Sequence, residues 1–205
     1  PYGKEEKHHE AHQEVKGLTA AQWFLTIGLA LVAAVIVLTN VVINVRVPGL
    51  VEKSGMGSVQ TAGLILSSMQ LIGIAAGLSF APLLHYFKEN LLTVAGVVFG
   101  LTAFMIGLAP NLLLLSVVTI ASGFVYSVSL TSIFHILSER IPSKSLNQAT
   151  SIVILGCSAG ATATTFFLSL IGQFSSQASF IFGVLGSLMV LMAVLAFGIL
   201  KKKSA

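Results

Sequence analysis

The stretch LLLLSVVTIASGFVYSVSLTSIFH, residues 112–135, contains no Asp, Glu, Lys or Arg. Within it Thr119, Ser122, Tyr126 and Ser129 recur at steps of 3, 4 and 3, so on a helix they form one stripe. Ser116, Gly123 and Ser127 lie beside that stripe, and the remaining surface is Val, Ile, Leu and Phe. The next residues, ILSERIPSKSLNQA at 136–149, form a charged turn around the helix breaker Pro142. An apolar helix with one polar stripe, long enough to span a bilayer, fits between lipid on one side and protein or a water-filled path on the other.

Composition extends this to the whole chain. Of 205 residues, 55% are hydrophobic and 9% charged, and the mean hydropathy is +0.95. A soluble domain carries about 25% charged residues, so the sequence reads as an integral membrane protein. The 19 glycines suit close packing of spanning helices. The net charge of +4 does not point to nucleic acid, because the basic residues flank apolar spans and form no aromatic-interleaved patch. The single cysteine, Cys157, excludes an intramolecular disulfide and a cysteine-rich metal site.

Residues 1–17 are charged and read as a cytoplasmic linker. They lack the apolar core of a signal peptide, and the chain is expected to be cut from something longer. His8 and His12 have the i, i+4 spacing of a metal pair, but no further ligands are fixed nearby, and no metal or cofactor is expected.

Residues 18–203 read as one membrane domain with six apolar spans, at about 22–45, 58–84, 91–109, 112–135, 147–173 and 180–200. The first is roughly 36 Å long, enough to cross with tilt. Arg46 to Gly57, with Pro48, Gly49, Gly55 and Gly57, reads as the loop after it. Its late polar residues, Asn40 and Asn44, are candidates for substrate binding or for bonds to neighbouring helices. Gln60, Gly63, Ser67, Gln70 and Gly77 share a face of the second span, and Ser151, Ser158, Thr162, Thr165 and Ser169 a stripe of the fifth.

With six crossings, nine Lys and Arg residues fall on the side of the termini and only Arg46 and Lys53 on the other. The positive-inside rule then places both termini in the cytoplasm of a multi-pass protein of the cell membrane. The spans read polar, polar, apolar, then polar, polar, apolar, a 3+3 repeat of character. Polar-striped spans belong together around a cavity, and the apolar third and sixth can face lipid.

At this point the chain resembles the C-terminal six-helix half of a twelve-helix major facilitator superfamily transporter. FAPLLHYFKENL, residues 80–91, occupies the place of that family's loop between second and third helices, typically Asp-Arg-x-Gly-Arg-Arg. His85 stands where Asp is usual, Tyr86 where Arg is usual and Lys88 where Gly is usual. Glu139-Arg140-Ile141-Pro142 followed by Leu146-Asn147-Gln148-Ala149 resembles the loop after the fourth helix of a half, where Arg-Gly-x-Ala is common. The resemblance implies transport of a small molecule by alternating access, with an N-terminal six-helix half as partner. It implies a path lined by the first and fourth helices and flanked by the second and fifth. The expected path residues are Asn40, Asn44, Gln60, Ser67, Gln70, Thr119, Ser122, Tyr126, Ser129, Ser158 and Thr162, with His85, Lys88, Glu139 and Arg140 as a gate. No intramembrane carboxylate is available here for proton coupling.

Gly156-Cys157-Ser158-Ala159-Gly160 matches the G-x-S-x-G pattern of serine hydrolases, but it lies inside a span and no His follows His135. The chain is therefore not expected to be an enzyme. The glycine pairs Gly73–Gly77, Gly96–Gly100 and Gly156–Gly160 fit close helix approach. His135 reads as an interfacial residue or a proton sensor. A stand-alone six-helix channel, a homodimeric carrier and a non-transporting scaffold or sensor are the alternatives in function.

Overall fold

The structure is a computed structural model and describes residues 18–201. The charged linker 1–17, with His8 and His12, and the terminal Lys202 and Lys203 lie outside the described residues. All regular structure among the described residues is helical: α1 (Ala20–Lys53), α2 (Val59–Phe87), a 3-10 turn (Lys88–Asn90), α3 (Leu91–Leu108), α4 (Leu112–Arg140), α5 (Ser143–Phe174) and α6 (Ala178–Lys201). Five stretches are long and apolar enough to cross a membrane, and one of them, Val59–Leu108, contains both α2 and α3. The chain thus has the character of a multi-pass integral membrane protein.

Local chemistry sets the helix ends. Thr19 and Gln22 form a reciprocal capping box at the start of α1, at 3.4 and 2.9 Å. Ser58 and Asn111 cap α2 and α4 by accepting the Thr61 and Leu114 N–H groups. The reversal after α1 uses Gly55 at φ 66°.

Two boundaries differ from the sequence expectation. The loop expected at Arg46–Gly57 starts only after Lys53, because Pro48 sits inside α1. Proline removes one N–H and leaves the Asn44 carbonyl without its helical donor, a loss that the flanking turns tolerate. The charged turn expected after residue 135 is shorter still. Ser138 to Arg140 are helical and Ile141 and Pro142 alone separate α4 from α5.

The packing is pairwise. α1 lies against α5, α2 against α4 and α3 against α6; α4 also packs on α3, and α1 on α6 and α4. Among apolar spans in lipid, close contact rather than escape from water holds helices together, so small residues matter most. A Cβ on Gly123 would meet the Met69 carbonyl of α2, and one on Gly156 or Gly160 would meet the Ala30 or Ala34 carbonyl of α1. Gly96 and Gly100 face Ala193 and Gly186 across the α3–α6 contact. Gly77 departs from the expected pairing with Gly73, since nothing lies within 4 Å of it. Phe99 and Phe182 fill the interior and are fully buried.

Lys88 ends α2 at φ 49° and ψ −128°, a conformation that glycine adopts far more readily. Lys88→Gly is therefore expected to raise stability by about 1 kcal/mol. Thermal unfolding in detergent should show it as an upward shift of roughly 2–4 °C, and a fall would contradict the assigned strain.

Candidate functional site

The stripe on α4 faces other helices of the chain. Thr119, Ser122 and Ser129 are buried. The Ser122 hydroxyl donates to the Thr119 carbonyl at 2.6 Å and the Ser129 hydroxyl to the Val125 carbonyl at 2.8 Å. Their own helix thus supplies acceptors for both hydroxyls. Thr119 Oγ1 is buried without a partner among the described residues. Tyr126 is half-buried, its ring 6.2 Å from that of Phe99 on α3. Thr119, Ser122 and Ser129 thus lie between helices.

The amides of α1 bond to each other. Asn44 Nδ2 donates to the Asn40 carbonyl at 2.8 Å and to Asn40 Oδ1 at 3.1 Å. Asn40 is buried and its own Nδ2 has no acceptor among the described residues. Asn44 is half-buried.

The outward polar groups lie instead on α2 and α5. Gln60, Ser67 and Gln70 are exposed on α2, and Ser158 and Thr162 on α5 with Ser151, Thr165 and Ser169. Thr162 Oγ1 donates to the Ser158 carbonyl at 3.0 Å and Ser151 Oγ to the Asn147 carbonyl at 2.9 Å. The carboxamides of Gln60 and Gln70 are left open to whatever covers this surface. Hydrocarbon could satisfy neither, at several kcal/mol per unsatisfied group. Apolar side chains, Leu64, Leu71 and Ile74 on α2 and Ile154 and Leu155 on α5, are exposed between the polar ones. Gly156–Gly160, the hydrolase-like pattern, is a turn of α5 packed on α1 and has no strand beside it.

A second group of side chains lines a cavity of about 290 Å³ at the end of the bundle where α4 and α6 finish. It gathers three of the four expected gate residues, Lys88, Glu139 and Arg140. His85 is exposed and does not line it. Arg140 is the organiser: Nη1 donates to the Leu200 carbonyl of α6 at 3.3 Å, and Nη2 lies 3.7 Å from Glu89 in the 3-10 turn. His135 Nε2 sits 3.3 Å from Glu139 Oε1, one turn along α4, and its ring stands edge-on to Phe80 of α2 at 5.7 Å. Both carboxylates are well exposed, so each pair contributes about 0–1 kcal/mol and can open readily. Sequence reasoning missed Glu89 and Ser132 as cavity residues; the i, i+4 spacing flags His135 with Glu139, but nothing in the sequence pairs Glu89 with Arg140.

Compared with families of known proteins, with curated proteins and with solved structures, the chain matches none.

Proposed function

We propose that this chain is one six-helix half of a facilitator-type carrier that moves a small molecule across a membrane by alternating access. The observation that carries the reading is the exposed polar face of α2 and α5. Gln60, Ser67 and Gln70, with Ser158, sit on helices of membrane-spanning length yet offer hydrogen bonds outward, and the exposed Thr162, bonded to the Ser158 carbonyl, lies beside them. A second six-helix half, with a water-filled path and substrate between the two, satisfies them where lipid cannot. Asn44 and Tyr126, both half-buried, join that lining.

Three further features support the reading. The Val59–Leu108 stretch of 50 residues would run roughly 75 Å as one helix, far beyond the hydrocarbon core of about 30 Å. Two crossings with the turn at Lys88–Asn90 fit it, and six crossings in all place both termini on the Lys- and Arg-rich cytoplasmic side of the cell membrane. Exchanging α1 with α4, α2 with α5 and α3 with α6 turns the α1–α5 contact into α4–α2 and the α1–α6 contact into α4–α3, and returns the α3–α6 contact to itself. A 3+3 repeat requires that exchange. Lys88 also adopts the glycine-favoured backbone at the position where the facilitator loop usually carries Gly. The cavity held by Arg140 is then the cytoplasmic gate.

The test begins with a thermal-shift screen of the full-length protein against sugars, organic ions and drugs. A compound that stabilises the protein is next measured for uptake into vesicles. Gln70→Leu should lower that uptake about tenfold, the worth of one hydrogen bond to substrate. Its unliganded melting temperature should stay unchanged. Absence of uptake for every stabilising compound, or full uptake by Gln70→Leu, would count against the reading.

A further inference from the structure

A different cavity, about 270 Å³, opens at the far end of α6, away from the gate. Arg46 and Lys53 line it from one face of α1, two turns apart, and Ser176 lines it from the link into α6. Leu168, Ile181 and Phe182 form an apolar wall. Among the described residues no acidic side chain lines it, although Glu52 adjoins Lys53 in sequence. The ion pairs among the described residues lie at the other end of the bundle, and Arg46 Nε is buried with no acceptor.

A cation in the last turn of a helix complements the helix dipole, which accounts for Lys53. It does not account for Arg46, which stands two turns further back with a desolvated, unpaired donor. A guanidinium presents its Nε and Nη donors in a fork that matches the oxygens of a phosphate. The first turn of the 24-residue α6 adds the positive end of its dipole at the same place.

We infer that this cavity binds an anionic, phosphate-bearing group, held by Arg46 and Lys53. Arg46 Nε donates to one phosphate oxygen, and Lys53 supplies a second positive charge at the rim. The apolar wall beside the cations accommodates the glycerol and upper acyl chain of a phospholipid, and a free phosphate uses the same donors. The inference needs only the membrane character of the chain and does not rest on transport.

The experiment is thermal unfolding of the full chain in detergent, with phosphatidylglycerol, phosphatidylcholine or inorganic phosphate added. Phosphatidylglycerol should raise Tm by roughly 5 °C, with phosphatidylcholine giving little; this outcome assigns a lipid headgroup. A comparable rise with inorganic phosphate assigns a free anion. In Arg46→Gln combined with Lys53→Gln either rise should disappear. Should that double variant fail to fold, Lys53→Gln alone, on the exposed end of α1, should at least halve the rise. No rise with either anionic probe, an equal rise with both lipids, or a rise that these substitutions leave intact would overturn the inference.

Discussion

Replacing Gly123 with Leu is expected to leave little or no folded protein. The new Cβ would land on the Met69 carbonyl, a backbone atom of α2 that cannot rotate aside. Overpacking a close contact costs about 1–3 kcal/mol when side chains can adjust, and more when backbones must separate. Separation of α2 from α4 would also break the bond from Ser127 Oγ to the Gly73 carbonyl, 3.0 Å long. A loss of roughly 10 °C or more in melting temperature, or aggregation on extraction, is the expected result. Gly160→Leu should behave alike, since its Cβ meets the Ala34 carbonyl of α1. Gly77→Ala is the matched control: it faces open space, and alanine's helix propensity favours it by up to about 1 kcal/mol. Equal melting temperatures for Gly123→Leu and Gly77→Ala would refute the close α2–α4 contact.

The second large effect is in chemical accessibility. Single cysteines replacing Gln70 or Ser158 should react with a water-soluble maleimide at least about tenfold faster than cysteines replacing Thr119, Ser122 or Ser129, because thiolate forms only where water reaches the sulfur. The background substitution is Cys157→Ala, which removes the native thiol on α5. Protein reconstituted in liposomes is the right sample, so that lipid covers what lipid covers in the cell. Faster reaction at 119, 122 and 129 would return the path to the buried stripe of α4. Equal protection at 70 and 158 would mean that lipid or a tight protein contact, not water, covers α2 and α5.

The apolar runs made the helices legible, because span length follows from bilayer thickness. The ends were less legible. Pro48 looks like a stop, yet it costs α1 a single hydrogen bond, and the helix runs on to Lys53. The polar stripes were legible as stripes but not as surfaces. A serine on a helix can be satisfied by water or by the carbonyl three or four residues back, and Ser122 and Ser129 take the second course while the carboxamide of Gln70 has no such acceptor. Glycine spacing has the same ambiguity, since Gly73–Gly77 and Gly156–Gly160 read identically and only the latter pair packs throughout. The link from Arg140 to Leu200 joins residues 60 apart, and no local pattern encodes it.

The pairing of α1 with α5 has a consequence for biosynthesis. About 126 residues separate Ala34 from the glycine at 160 that packs on it. At about 5–20 residues per second, the first helix spends roughly 6–25 s in the membrane before its principal neighbour has been made. During that interval Thr26 and Asn40, polar groups in the apolar middle of α1, have no later helix of the chain to pack against. Retention of α1 near the site of insertion until α4, α5 and α6 arrive is therefore the expected course of assembly.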